Sequence, residues 1–297
     1  ICGSLAFDVI MNFEGRFAEQ ILPEQLHILN VSFLVPALRR DFGGCAGNIA
    51  YSLKQLGGDP LPMATLGSDG AGYLARLAGM GIATEFIRTL DDAYTAQAMI
   101  ITDRDNNQIN GFHPGAMEQA HLTRIEARED IKLGIIAPDG REAMLQHAEQ
   151  FRAADIPFVF DPGQQLPRFD GAELRSLVDQ ASWVTVNDYE GKMLSDRTVW
   201  STAEVSRRVR GMIVTKGAQG SDVWIDGAST HVPAYQPGAV VDPTGCCDAY
   251  RGALLFGLEL GWSLVRCAQV GNHLGALKIA HQGPQTYTVD PAAIPAA

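Results

Sequence analysis

Short apolar runs alternate along the chain with segments whose apolar residues recur every three or four positions. The runs have the length of buried strands, and the segments have the period of amphipathic helices. The clearest runs are 61–66, 133–137, 158–160, 183–186 and 212–214. Because buried parallel strands need helices on both faces, this alternation predicts an α/β fold with a mainly parallel central sheet.

Polar residues stand directly after three of these predicted strands. They are Asp161, Asn187 and Thr215. In sheets of this kind, ligands bind at the carboxyl ends of the strands. The pattern therefore predicts a ligand site at that edge of the sheet.

Two stretches outside the alternation predict a small β-strand lid. Segment 11–42 lacks a helical period, and the apolar arms 95–102 and 107–112 flank a polar turn, which is typical of a hairpin. We therefore expect lid segments at about 11–42 and 93–117. They are inserted in a single domain spanning 1–297, because no repeat, low-complexity tract or linker interrupts the chain.

The most informative stretch is a small-residue turn that runs into a helical pattern. Tyr250, Leu254 and Leu258 share one face of that pattern, and Gly261 favours its end. The first turn of a helix has unpaired N–H groups and the positive end of the dipole, so it binds anions. Asp248 lies in this turn, where a carboxylate can accept a hydroxyl proton while the amides hold a phosphoryl group. The alternative is that Asp248 only caps the helix.

Glycine pairs precede two other predicted helices. Gly43 and Gly44 would let a ligand approach the backbone closely. Gly70 begins a G-x-G-x-x-A pattern that is typical of dinucleotide-binding folds. That pattern follows a polar pair and not the strand itself, so the sequence favours Asp69 as a helix cap over an NAD-dependent oxidoreductase.

Composition narrows the class of partners. The chain has 297 residues, 46% hydrophobic and 19% charged, which is typical of a soluble globular protein with a full core. A net charge of −11 without a basic run argues against a nucleic-acid partner. No apolar run has the ~18–20 residues of a membrane helix, and residues 1–4 do not resemble a secretion signal. Five cysteines without a disulfide or metal spacing favour a reducing cytoplasm.

Several ordered motifs together resemble the ribokinase-like sugar and nucleoside kinases of the PfkB family. They are Gly43-Gly44 with Asn48, Asn187-Asp188-Tyr189-Glu190, Thr215-Lys216-Gly217, and the Asp-x-Thr-Gly-x-x-Asp pattern that ends at Asp248. Segments 95–97, 108–109, 112–117 and 161–165 are similar to bacterial adenosine kinases. The resemblance implies a three-layer α/β/α domain with a β-strand lid. It also implies ATP-dependent phosphorylation of the 5′-hydroxyl of a purine nucleoside, with adenosine giving AMP as the first expectation.

The resemblance also implies roles for individual residues. Asp248 is the general base, and Gly245, Cys246 and Cys247 supply the amides of the anion hole. Glu190 organises Mg²⁺ together with Asn187. The ATP site is implied at Asn187, Thr215, Gly217, Thr244 and Asn272. The nucleoside site is implied at Ser4, Asp8, Gly44, Asn48, Phe112, Gln164 and Gln165. Asp242 lies where such relatives hold a monovalent cation, which makes K⁺ a further candidate cofactor.

Cys247 departs from the family pattern, which usually reads Gly-Ala-Gly-Asp. If this position needs a positive φ, cysteine costs about 1–2 kcal/mol there. A thiol at a helix N-terminus also ionises more readily. We therefore predict lower turnover, or sensitivity to oxidation, relative to a Cys247→Gly variant.

Two functional alternatives stay open in the sequence. One is a sugar kinase acting on ribose or fructose, and the other is a nucleoside-binding protein that has lost catalysis through the change at Cys247. Exposed strand edges in the lid also suggest a homodimer.

Overall fold

The computed structural model describes residues 1–21, 27–28, 30–105, 107–290 and 294, in which β-sheets of six, four and two strands and their helices form the fold. Its strands are β1 (Ala6–Asn12), β2 (Ala37–Gly43), β3 (Ala64–Gly67), β4 (Ile87–Leu90), β5 (Ala96–Thr102), β6 (Gln108–His113), β7 (Gly134–Ile136), β8 (Phe158–Phe160), β9 (Trp183–Asn187), β10 (Gly211–Thr215), β11 (Ser221–Ile225) and β12 (Ala228–Val232). Its α-helices are α1 (Phe17–Gln20), α2 (Cys45–Gln55), α3 (Ala71–Gly79), α4 (Arg141–Ala153), α5 (Gly171–Gln180), α6 (Asp188–Thr198), α7 (Thr202–Ser206), α8 (Cys246–Glu259) and α9 (Leu264–Ile279). None of the helices in these ranges combines the length and the apolar character that crossing a membrane requires.

The larger sheet has the strand order β12-β11-β10-β9-β8-β7. Strands β7 to β10 are parallel, and β11 and β12 continue the sheet in antiparallel fashion at one edge. At the other edge, Cys2 bridges Ile136 of β7 and also Met63, which connects the parallel pair β3–β4 to this sheet. The mainly parallel central sheet predicted from the alternation is therefore confirmed.

Helices cover both faces of this sheet. Helices α4, α5, α6 and α7 pack on one face, and α2, α8 and α9 pack on the other. Successive strand residues face opposite layers, so Phe158 and Phe160 belong to the first apolar cluster and Val159 to the second. Because β8 is buried on both faces, it reads in the sequence as an uninterrupted apolar run. The fold is the predicted three-layer α/β/α arrangement.

The smaller sheet has the order β2-β1-β5-β6. Strand β1 pairs with β2 in antiparallel and with β5 in parallel fashion, and every residue of β6 is exposed. The predicted segments 11–42 and 93–117 contribute β2, β5 and β6, whereas β1 begins earlier in the chain. Residues 22–26, 29 and 106 of these segments lie outside the described residues.

Asp69 does not cap α3, contrary to the prediction. The residue before α3 is Gly70, and no side chain caps the helix. The Asp69 carboxylate accepts the Thr95 N–H at 2.8 Å and forms an ion pair with Arg40 at 3.0 Å. Asp69 thus ties the start of α3 to the smaller sheet, a contact that local sequence does not reveal.

Candidate active site

A cleft with a cavity volume of about 320 Å³ lies between the larger and the smaller sheet, at the carboxyl ends of the central strands. Most of the predicted site residues line it: Ser4, Asp8, Gly44, Asn48, Phe112, Gln164, Gln165, Asn187, Glu190, Thr215, Thr244, Gly245, Cys247 and Asp248. Cys246, Gly217 and Asn272 are not among the lining residues. The fold therefore brings together residues that are far apart in the sequence.

Helix α8 begins at the floor of this cleft. The residue before the helix, Gly245, has φ +79°, a left-handed conformation that glycine adopts without strain. The Cys246 N–H donates to the Pro243 carbonyl oxygen at 3.2 Å, whereas the N–H groups of Cys247 and Asp248 have no acceptor among the described residues. Two free amides at the positive end of a helix form an anion site, and Cys247 and Asp248 supply them better than Cys246 does.

The Asp248 carboxylate is held by a chain of buried polar groups. Asn48 Nδ2 donates to Asp248 Oδ2 at 2.8 Å, and Asn48 Oδ1 accepts from Gln285 Nε2 at 3.0 Å. Gln285 also contacts the Tyr73 hydroxyl at 2.8 Å. Burial raises the pKa of Asp248 to about 7, although the hydrogen bond from Asn48 opposes the shift. A carboxylate that titrates near neutral pH is suited to general-base chemistry.

Cys247 carries no backbone strain, so the conditional cost predicted for it does not apply. The described non-glycine residues with positive φ are Asp155, Val199 and Asp226, and Cys247 lies inside the right-handed helix α8. Its thiol also does not ionise more readily. Cys247 is exposed, yet the protein atoms around its thiol reduce its solvation and so raise its pKa; Arg251 opposes this shift, and the carboxylate of Asp248 adds to it.

A buried ion pair lines the cleft, and the sequence analysis does not identify its basic partner as a site residue. Arg251 donates to the Asp161 carboxylate from Nε at 3.0 Å and from Nη2 at 3.1 Å. The sequence identifies Asp161 as a residue at a strand end and as the first residue of segment 161–165, without indicating an ion pair. Arg251 is four residues after Cys247 in the predicted helix, and this spacing was the one available signal that it shares the face of the anion site.

Asn187 and Glu190 form a capping box at the start of α6. Asn187 Oδ1 accepts the Glu190 N–H at 2.7 Å, and Glu190 Oε2 accepts the Asn187 N–H at 2.8 Å. Burial raises the pKa of Glu190, and the hydrogen bond from the Asn187 N–H offsets only part of this shift. The described residues contain no group of three or more His, Cys, Asp or Glu that could hold a metal. The Glu190 carboxylate lines the cleft, and a single carboxylate ligand suits a Mg²⁺ that keeps most of its water and phosphate ligands.

The predicted ATP residues divide into two groups. Thr215, at the end of β10, and Thr244 line the cleft. Gly217 opens a short turn with φ +54° outside the lining. The Asn272 amide donates at 3.1 Å to two main-chain carbonyl oxygens at the end of β12, so its side chain already has structural partners.

Ser4, Asp8 and Gly44 occupy the wall below the smaller sheet. Ser4 Oγ accepts the Cys45 N–H at 3.1 Å. Gly44 has φ +85°, and a Cβ there would lie 2.6 Å from the Ser4 carbonyl oxygen, so a glycine is required. Burial raises the pKa of Asp8 to about 6, and the neighbouring Asp41 adds to the shift.

The other residues predicted to contact the base come from β6 of the smaller sheet and from the segment that follows β8. Phe112 projects from β6 and is 54% exposed, which leaves its ring available for stacking. Gln164 is exposed, whereas Gln165 is buried and accepts from Arg168 Nη1 at 3.3 Å.

Asp242, the residue linked to a monovalent cation, contacts a buried ammonium group. Lys278 is fully buried, and its Nζ donates to the main-chain oxygens of Asp242 at 2.7 Å and His281 at 3.1 Å. The Asp242 carboxylate accepts the N–H groups of Thr244 and Gly283. The ammonium group of Lys278, which belongs to α9, therefore already places a positive charge against the loop that contains Asp242.

Known proteins are similar to this chain in sequence and in fold. Residues 15–291 match the pfkB family carbohydrate kinase. The nucleoside kinase of Burkholderia thailandensis in complex with inosine is 51% identical, with a TM-score of 0.88 over 99% of this chain and 94% of that chain. Its complex with ADP-inosine has 52% identity and a TM-score of 0.86, over 99% and 92% of the two chains. A nucleoside kinase of Methanocaldococcus jannaschii is 29% identical over 96% of this chain and 91% of its own length.

Proposed function

Because the chain belongs to the pfkB carbohydrate kinase family, whose members transfer a phosphoryl group to a hydroxyl group, we propose that it is an ATP-dependent purine nucleoside kinase. The observation that carries the proposal is Asp248, a carboxylate that titrates near neutral pH beside two free amides. The similarity to nucleoside kinases, one of them bound to inosine, supports a nucleoside over a free sugar. Adenosine, giving AMP, is the first expected substrate, and inosine is the second.

In the proposed reaction, Asp248 takes the proton of the nucleoside 5′-hydroxyl as the oxygen attacks the γ-phosphorus of ATP. The amides of Cys247 and Asp248 hold the negative charge of the phosphoryl group. We assign the ribose hydroxyls to Asp8, Gly44 and Asn48, and the base to Ser4, Gln164, Gln165 and Phe112; all seven residues line the cleft. Closure of the smaller sheet over the cleft would exclude water, which would otherwise compete as the acceptor.

ATP and Mg²⁺ are the proposed cofactors. The ADP-inosine complex of the Burkholderia relative supports the nucleotide. Glu190, with Asn187 beside it, would hold a hydrated Mg²⁺, and the ion would neutralise phosphate charge. Thr215 and Thr244 are the cleft residues that we assign to ATP. Gly217 and Asn272 do not line the cleft, so they would contact ATP only where the nucleotide extends beyond it.

Two alternatives are distinguished by one assay. ADP release is measured with adenosine, inosine, guanosine, ribose and fructose as acceptors. A rate with adenosine or inosine that exceeds the rates with both sugars supports the proposal, and the reverse order supports a sugar kinase. Tight nucleoside binding without ADP release identifies a binding protein that has lost catalysis.

Three further expectations accompany this function. We propose that the chain is one domain with lid segments at about 11–42 and 93–117, and that it acts in the cytoplasm, where its five free cysteines stay reduced. The exposed edge strand β6 supports a homodimer formed through the smaller sheet. Size-exclusion chromatography with light scattering tests the dimer.

A further inference from the structure

One nitrogen of the Arg251 guanidinium has no hydrogen-bond partner in the part of the chain that the structure describes. Asp161 accepts hydrogen bonds from Nε and Nη2, but the buried Nη1 has no acceptor among the described residues. Arg251 is only 2% exposed, so solvent does not hydrate this donor freely. A buried charged donor without an acceptor is unfavourable. We therefore expect its acceptor to arrive with a ligand.

The position of Arg251 on α8 indicates where that ligand binds. Arg251 is four residues after Cys247, so the two side chains share one face of the helix. Long helical side chains lean toward the helix N-terminus, which here is the anion site. Both residues line the cleft. The guanidinium is therefore close to the place where the amides of Cys247 and Asp248 would hold a phosphoryl group.

The charges around the cleft lead to the same conclusion. Among the described residues that line it, the acidic ones are Asp8, Asp161, Glu190 and Asp248, and Arg251 is the one lysine or arginine. Lys216, which follows β10, forms an ion pair with Asp222 and is outside the lining. A phosphate group entering this acidic cleft needs a cationic donor, and Arg251 can supply it.

We propose that Arg251 is a catalytic residue whose Nη1 donates to an oxygen of the phosphoryl group during transfer, while Asp161 fixes the guanidinium. The proposal rests on the kinase function proposed above. The nucleoside oxygen forms a bond to the γ-phosphorus as the bond to the ADP oxygen breaks, and the hydroxyl proton goes to Asp248. Arg251 keeps its protons throughout and acts by stabilising charge.

The test compares Arg251→Gln with wild type, using inosine and ATP. We expect kcat to fall about 100- to 1,000-fold, the loss typical of removing one donor to a developing oxyanion. The KM for inosine should change little, because the uncharged nucleoside does not need this donor. In calorimetry, affinity for inosine 5′-monophosphate should fall while affinity for inosine is retained. Arg175→Gln is the matched control, since Arg175 donates to the Thr198 carbonyl oxygen at 3.1 Å outside the cleft lining.

A purely structural role of Arg251 predicts a different result. If Arg251 only holds Asp161 in place, Arg251→Gln lowers the unfolding temperature but keeps kcat and the ratio of monophosphate to nucleoside affinity, and the proposal is overturned. If circular dichroism shows that Arg251→Gln does not fold, Arg251→Lys decides. One ammonium cannot replace the three-nitrogen fork, so wild-type kcat in Arg251→Lys also overturns it. A wild-type protein that releases no ADP with any nucleoside would instead refute the kinase function itself.

Discussion

Replacing Asn48 by alanine should move the pH dependence of turnover. Asn48 is buried, and its Nδ2 donates to Asp248 Oδ2 at 2.8 Å. This bond stabilises the charged carboxylate and so opposes the burial that raises the pKa of Asp248 to about 7. When the Asn48 donor is removed, the hydrogen bond that lowered the pKa of Asp248 is lost, and the effect of burial is less opposed. The pKa of Asp248 must then rise, and the base is protonated over a wider range of pH.

The size of the shift follows from the type of bond. A hydrogen bond to a charged group contributes about 1.5–3 kcal/mol, and one pKa unit corresponds to about 1.4 kcal/mol. The apparent pKa should therefore rise by about 1–2 units, to about 8–9. Near neutral pH, wild type is about half deprotonated, so the deprotonated fraction, and with it kcat, should fall about 5- to 50-fold in Asn48→Ala. At about pH 9.5 the two proteins should differ about twofold or less.

The assay is ADP release at saturating adenosine or inosine and ATP, measured from about pH 5.5 to about pH 9.5. Saturation separates the proton effect from any loss of ribose binding, which appears in KM. Ser52→Ala is the control, because Ser52 Oγ donates to the Asn48 carbonyl oxygen at 2.7 Å and has no bond to Asp248. The midpoint of the pH dependence of kcat in Ser52→Ala should equal that of wild type. A constant fold-loss in Asn48→Ala across the whole pH range would refute the reasoning and assign Asn48 to substrate binding alone.

Three other changes test the site. Asp248→Asn should nearly abolish ADP release while calorimetry still detects inosine binding; undiminished turnover would remove the general base from the mechanism. Cys247→Gly should keep kcat and lose up to roughly 1 kcal/mol of stability, because glycine is a poor helix former and Cys247 is unstrained; higher turnover in the glycine variant would contradict this. Because the Lys278 ammonium already contacts the Asp242 carbonyl oxygen, wild-type turnover should be equal in potassium and choline buffers, and a rate that follows the potassium concentration would show otherwise.

The sequence predicts the central sheet better than the smaller one, and burial explains the difference. Strand β8 is buried along its whole length, and its observed bounds coincide with the apolar run at 158–160. Strand β2 is mostly exposed or half-buried and contains Arg39 and Arg40, so no apolar run marks it. Propensity and periodicity detect a strand through its burial, and β2 forms because it pairs with β1.

The candidate site shows the same limit. Polar residues at strand ends and at the start of α8 were identified because parallel strands direct them to one edge. Arg251 and Gln285 were missed because their partners are distant in the sequence. Arg251 binds Asp161 across 90 residues, and Gln285 binds Asn48 across 237 residues. No local pattern predicts which buried polar groups will meet in this way.

The acidity of the cleft also bears on the choice of acceptor. Asp8, Asp161, Glu190 and Asp248 line it, in a chain with net charge −11. In the proposed reaction, phosphate would therefore be stabilised only locally, by the α8 amides, by the Arg251 guanidinium and by a Mg²⁺ that Glu190 would hold. An acceptor that carries its own phosphate would place a second anion among these carboxyl groups without such donors. If the proposed function is correct, we expect an uncharged alcohol such as a nucleoside to be preferred over a sugar phosphate, and the phosphorylated product to bind weakly among these carboxyl groups.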